Sequence, residues 1–144
     1  MIAVDTNLLI YAHREDSPWH DAALRVLMEL ADGPAQWAIP WPCVHEFLAI
    51  VTHPKIYRPP TPSEVAIKAV RAWMESPTLR LLGESAGHLD RLEELVLAAK
   101  AAGPMVHDTR IAALCLSHGV RQLWSADRDF SRFPALKIKN PLVK

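Results

Sequence analysis

Apolar and polar positions along this chain follow two alternating periods. Short segments rich in apolar residues stand at Ile2–Val4, Trp37–Ile39, Leu79–Leu82, Gln122–Trp124 and Leu136–Ile138, and each reads as a short strand. Between them apolar residues recur every three or four positions, the mark of helices with one buried face. "LLIYA" opens such a helix just after Asp5. Leu24, Leu27, Met28 and Ala31 mark the next; Ser17 is placed to cap it with Pro18 at its first position, and Gly33 to end it. Pro42 opens a third, whose inner face holds Val44, Phe47, Leu48 and Val51. "TPSE" at Thr61–Glu64 reads as a capping box with Pro62 at the first position, for a helix reaching about Glu75. Leu89, Leu92, Leu95, Val96 and Ala99 mark a fifth helix, stopped by Gly103; Asp108 caps or opens a sixth, closed by Gly119. This alternation predicts an α/β fold, a parallel sheet of four to five strands covered by helices on both faces.

Composition narrows the class. A chain of 144 residues suits one domain, 1–144, and at that size buries roughly 70% of its unfolded surface without staples. Sixteen acidic and sixteen basic side chains cancel, so net charge names no partner. The distribution says more: from Arg121 onward there are six Lys or Arg and only two acids, Asp127 and Asp129. An acidic pair in a basic segment suits a metal together with a polyanion; a solvated basic tail is the alternative. Cys43 and Cys115 form no C-x-x-C pair, which argues against a zinc site, and each sits among apolar residues as a small core residue would. The opening "MIAVD" has no signal-peptide pattern and no apolar run is long enough to span a bilayer. The expected compartment is the cytoplasm, with no membrane partner.

The carboxylates carry the chemistry. In open α/β sheets ligands bind beyond the carboxyl ends of the strands. Asp5 follows the first strand, and Asp127 and Asp129 follow the fourth; if those strands are neighbours, the acids meet at one edge. Glu46 lies beside the apolar face of its helix in "PCVHEFLAIV", and Asp108 in the first turn of "GPMVHDTRIAAL". Taken singly each has a plain structural explanation: Asp5 and Asp108 as helix caps, Glu46 as an exposed position, Asp127 as a turn cap with Asp129 solvated. Taken together they leave a cluster of like charges, and clustered carboxylates raise one another's pKa unless a cation sits among them. Magnesium or manganese, hard ions with oxygen ligands, are the natural neutralisers.

"AVDTNLLIYA", the single Glu46, "VHDTRIAAL" and "SADRDFSRFPALKIKNP" resemble the PIN-domain family, and within it the toxin ribonucleases of the VapBC toxin–antitoxin pairs, over essentially the whole chain. The resemblance implies a three-layer α/β/α sandwich and a Mg²⁺-dependent endoribonuclease, with Mn²⁺ as a substitute, that hydrolyses RNA by a metal-activated water and leaves a 5′-phosphate. Matched by position, the acidic set is Asp5, Glu46, Asp108 and Asp127, with Asp5, Asp108 and Asp127 as metal ligands. Asp129, Asn7 and Ser125 are accessory; the Ser125 hydroxyl would orient a carboxylate or a water. Arg110, Arg128 and Arg132 would touch substrate phosphates, surface solvation being the equal alternative. A VapB-like antitoxin, a homodimer and a toxin–antitoxin hetero-oligomer are implied as well, and Trp19, Trp41 and Trp73 are candidates for the apolar surface of those contacts or for the core.

Three rivals stand beside this reading. Histidines 45, 107 and 118 would support acid–base chemistry without metal. A Mg²⁺-dependent phosphotransfer or phosphatase domain also places Asp after the first strand, but Asn7 occupies the position of its second Asp. A non-catalytic RNA-binding module would keep the fold without cleavage.

Overall fold

The structure, a computed structural model, describes residues 1–127, 130 and 132–143. Its centre is a five-stranded parallel sheet of order β3-β2-β1-β4-β5, built from β1 (Ile2–Val4), β2 (Trp37–Pro40), β3 (Leu79–Leu82), β4 (Gln122–Trp124) and β5 (Lys137–Lys139). The expected alternation of strand and helix holds from β1 to β4; among the described residues no α-helix separates β4 from β5, and the fifth strand begins one residue later than its apolar pattern suggests. Helices α1 (Thr6–His13), α2 (His20–Asp32), α3 (Trp41–Val51) and α4 (Ser63–Met74) carry the chain from β1 to β2 to β3. Helices α5 (His88–Ala99) and α6 (Met105–Ser117) return it across the sheet to β4. Right-handed crossovers put helices of a reversed direction on the other face, and the packing agrees: α1 rests on α2 and α3, α3 on α4, and α5 on α6. The result is an α/β/α sandwich.

The strand order reverses between β1 and β4. They pair in parallel, Ile2 against Gln122 and Val4 against Trp124. In open α/β sheets that reversal opens a crevice at the carboxyl ends of the two strands, where ligands bind. β2, the other neighbour of β1, is buried along its full length, as a strand covered on both faces must be. Its Trp37 is wholly enclosed, and the indole N–H donates to Ser76 Oγ at 3.1 Å, which in turn donates to the Ala31 carbonyl at 2.8 Å. The edge strand β5 turns Lys137 and Lys139 to solvent, a charge pattern that discourages pairing with another chain.

Several helix ends differ from the sequence expectation. Ser17 does not cap α2; its Oγ accepts the Trp19 N–H at 3.1 Å and the helix starts at His20. The capping box at Thr61 does not form either. α4 starts at Ser63 with no side-chain cap, because the Thr61 hydroxyl is engaged by α1 and its exit: it bonds His13 Nε2 at 3.0 Å and accepts from Arg14 at 3.3 Å. Gly103 does not stop α5. The helix ends at Lys100, which takes the left-handed conformation (φ 52°) while Ala101 N–H bonds the Val96 carbonyl; a non-glycine residue there costs roughly 1–2 kcal/mol. At the end of α6 glycine does the expected work. Gly119 (φ 75°) donates to the Leu116 carbonyl and Val120 to that of Cys115, the paired bonds of a Schellman stop, and the chain enters β4 at once.

His13 gives the fold a pH dependence. Its ring packs edge-on against Phe47, with centroids 5.4 Å apart. Burial, and then the charge of Arg14, hold its pKa below the ordinary 6.5. The unfolded chain therefore takes up this proton at a higher pH than the folded one, and stability is lost as pH falls below about 6.5. The melting temperature should decline from pH 7.5 to pH 5.5, and His13→Gln should decline less. Parallel pH profiles for the two proteins would remove His13 as the cause.

Candidate active site

Asp5 stands at the carboxyl end of β1 and is 4% exposed. Its backbone N–H continues the sheet by donating to the Trp124 carbonyl at 3.0 Å, and its φ, ψ of −83° and 164° make it the N-cap of α1. The capping role expected from sequence is therefore present: Oδ1 accepts the Thr6 N–H at 2.8 Å. The same carboxylate does more. Oδ2 accepts the Ser125 hydroxyl at 2.7 Å across 120 positions of chain, and the Cys43 thiol lies 3.6 Å from Oδ1. Burial pushes the Asp5 pKa up, the bonds from Ser125 and Thr6 oppose the rise, and the nearby charge of Glu46 adds to it. Among the described residues no basic side chain pairs with it.

Ser125 follows β4 and is 1% exposed. Its backbone is held by an N–H bond to the Lys139 carbonyl at 2.9 Å. Its hydroxyl, donating to Asp5, also accepts the Asp127 N–H at 2.9 Å and the Asn7 amide at 3.4 Å. Asn7 closes the ring by accepting the Ala126 N–H at 3.2 Å. One small network thus ties the start of α1 to the turn that carries Asp127, across the β1/β4 crevice.

Glu46 and Asp108 come from the helices on either side. On α3, residues Val44, Phe47 and Val51 face the core, which leaves Glu46 on the outer surface. There it lines a cleft of about 260 Å³ with Pro42, His45, Ala49, His107, Arg110 and Ile111. Asp108 is half-buried and lies four residues into α6, whose N-cap position is Pro104. The cap reading of Asp108 is thereby overturned: α6 begins three residues earlier than the sequence suggests. Asp129 and Arg128 lie outside the described residues. Arg110 pairs with Glu84 at 3.1 Å at the surface, and Arg132 is exposed with its guanidinium against Met105 Sδ. Among the described residues, no three Asp, Glu, His or Cys side chains stand close enough together to hold an ion unaided.

The histidines are spread out. His118 bonds the Gly83 carbonyl at 2.8 Å; His45 stacks on Trp41 with centroids 6.0 Å apart; His107 lines the cleft with Glu46. Of the tryptophans, Trp19 and Trp41 are exposed, and Trp73 is half-buried edge-on against Phe47. Both cysteines are buried, as expected of small core residues. Cys115 is pushed up to about 12 by burial. The contact of Cys43 with Asp5 has no counterpart among the sequence expectations. The available signal is position: Cys43 is the third residue of a helix that leaves β2 at the same sheet edge as Asp5.

Comparison with known proteins agrees with this architecture. The PIN domain family profile matches residues 2–136. Ribonuclease VapC48 of Mycobacterium tuberculosis is 31% identical over 137 residues, covering 95% of this chain and 94% of that protein. Ribonuclease VapC33 of the same species is 32% identical over 142 residues, covering 99% of each. Among solved structures, VapBC2 from Rickettsia felis, bound to a DNA fragment from its promoter, superposes with a TM-score of 0.70 at 20% identity, covering 96% of this chain and 98% of that one. VapC20 of M. tuberculosis, a toxin that cleaves the sarcin–ricin loop, gives 0.66 at 18% identity, covering 91% and 93%. With a profile match over nearly its whole length and VapC ribonucleases as full-length relatives, the chain belongs to the PIN domain family.

Proposed function

We propose that this protein is the toxin of a type II toxin–antitoxin pair, an endoribonuclease that hydrolyses RNA phosphodiesters with the help of a divalent ion. The observation that carries this reading is the buried Asp5 carboxylate at the β1/β4 crevice, bonded to Ser125 and near enough to Glu46 to feel its charge. The donor set is all oxygen, as Mg²⁺ or Mn²⁺ requires. A buried carboxylate without a basic partner among the described residues also fits a cation better than bare solvent.

Asp5, Asp108 and Asp127 would hold the ion, directly or through water. Glu46 would complete the set or orient the attacking water. A bound Mg²⁺ or Mn²⁺ supplies activation of water and charge cancellation at the phosphodiester. Ser125 and Asn7 hold Asp5 and the turn of Asp127 in place. Asp129 is assigned an accessory part, and Arg110, Arg128 and Arg132 the phosphates on either side of the cut. A VapB-like antitoxin and a second copy of the chain are the proposed protein partners, supported by VapBC complexes among the structural neighbours; the exposed Trp19 and Trp41 offer apolar surface for them. No helix among the described residues is long and apolar enough to cross a membrane, which agrees with the proposed cytoplasmic site of action.

The test is cleavage of cellular RNA by the purified protein. Cleavage should require Mg²⁺ or Mn²⁺, stop in EDTA, and yield 5′-phosphate ends that sequencing can map. Undiminished cleavage in EDTA would favour the histidines instead. Binding of RNA without cleavage in any divalent ion would favour the non-catalytic module, and release of phosphate from monoesters alone the phosphatase.

A further inference from the structure

The hydrogen bonds to Asp5 are unevenly shared between its two oxygens. Oδ1 accepts the Thr6 N–H at 2.8 Å and faces the Cys43 thiol at 3.6 Å. Oδ2 accepts the Ser125 hydroxyl at 2.7 Å. An ionised carboxylate offers about four lone-pair positions, two on each oxygen. The Thr6 N–H and the Cys43 S–H fill both on Oδ1, and Ser125 fills one on Oδ2. Among the described residues one position, on Oδ2, is left.

We infer that Cys43 is a positioning residue for Asp5: its thiol, with the Thr6 N–H, closes Oδ1 and leaves Oδ2 as the single oxygen that Asp5 presents to a divalent cation. This rests on the metal-dependent reading given above. The fold explains why a thiol suits the task. Cys43 is 0% exposed and packs in the central core with Val44 and Phe47 of its own helix. A side chain there must be compact and largely apolar, yet must offer a hydrogen to the carboxylate beside it. A thiol does both, behaving as a small hydrophobe with a weak donor. The neighbouring sequence fixes its place, since α3 starts directly from β2, which pairs with β1, and Cys43 is the third residue of that helix.

Three substitutions separate donor from filler. Cys43→Ser keeps a donor, Cys43→Val keeps the apolar volume without one, and Cys43→Ala removes both. Each would be compared with wild type and Asp5→Asn for Mn²⁺ binding, read by the loss of the free-ion electron paramagnetic resonance signal, with circular dichroism to establish folding. If the thiol orients Asp5, the Val and Ala proteins should bind Mn²⁺ on the order of 10-fold more weakly, the effect usual for losing a hydrogen-bond partner of a metal ligand. The Ser protein should bind close to wild type. A structural role alone predicts the opposite order, with Val equal to wild type and Ser the weakest, and that result would overturn the inference. Equal binding by all three, or equal loss in all three, would overturn it too. The broader reading fails in a different way: wild type would bind no Mn²⁺, or Asp5→Asn would bind it as wild type does, and the Cys43 role would fall with it. Should the Val protein not fold, the Ala and Ser pair decides by the same comparison.

Discussion

Replacing Asp5 by Asn should abolish RNA cleavage while leaving the protein folded. The amide matches the carboxylate in shape, and its oxygen can still accept the Thr6 N–H. What it cannot supply is charge, or a second acceptor for the Ser125 hydroxyl, which already receives hydrogens from Asp127 N–H and Asn7. Loss of a group that only supports a metal ligand costs about 10–100-fold, so loss of a ligand should exceed that range. Stability should change far less, because two effects oppose each other. Burial raises the Asp5 pKa above its ordinary 3.8. The folded protein therefore holds this proton more tightly than the unfolded chain, and stability falls as pH rises from about 4 through the folded-state value. At neutral pH in EDTA the ionised carboxylate opposes folding; the amide removes that charge but gives up the Ser125 bond, so Asp5→Asn should melt near the wild-type temperature and vary less with pH. In cells the substitution should relieve the growth arrest expected of the wild type. Cleavage within a few-fold of wild type, or equal arrest, would remove Asp5 from the reaction.

The second large effect belongs to Ser125. Its single hydroxyl serves Asp5, Asp127 and Asn7 at once. Ser125→Ala leaves the buried Asp5 carboxylate short of a donor and the Asp127 N–H short of an acceptor. Hydrogen bonds to charged groups are worth about 1.5–3 kcal/mol, so chemical denaturation should show a loss near that range. Cleavage should fall about 10–100-fold, as for other groups that orient a metal ligand. Ser125→Thr retains the hydroxyl and should keep most of both. A destabilised Ala protein with wild-type cleavage would mean that Ser125 builds the turn and has no part in aiming Asp5.

Much of the fold is legible in the amino-acid sequence. The strands stand out because a sheet covered on both faces needs continuous apolar runs, and "IAV" and "WAI" are such runs, while the edge strand "LRLL" breaks its run only at the exposed Arg80. The helix ends are less legible because the groups that satisfy them come from elsewhere in the fold. Thr61 has the right residues after it for a capping box, yet His13 and Arg14, far off in sequence, claim its hydroxyl. Asp108 has the look of a cap because Asp so often is one, but Pro104 already starts that helix. The meeting of Asp5 with the turn of Asp127 depends on β1 lying beside β4. Strand patterns alone do not order a sheet, so sequence states the meeting only as a condition. The apolar neighbours of Cys43 place it in the core, where it lies, but which atom a buried thiol faces depends on the register of β2 against β1.

The placement of β1 between β2 and β4 has a bearing on synthesis. β1 and its Asp5 leave the ribosome before β4 does, and Asp5 has no Ser125 to bond until 120 further residues have been made. A partly made chain can pair β1 with β2 and β2 with β3, but the crevice has only one wall. Contacts so distant along the chain form late, and domains close as units once their last pieces emerge. The Asp5–Ser125 bond therefore closes only as the fourth strand docks beside the first.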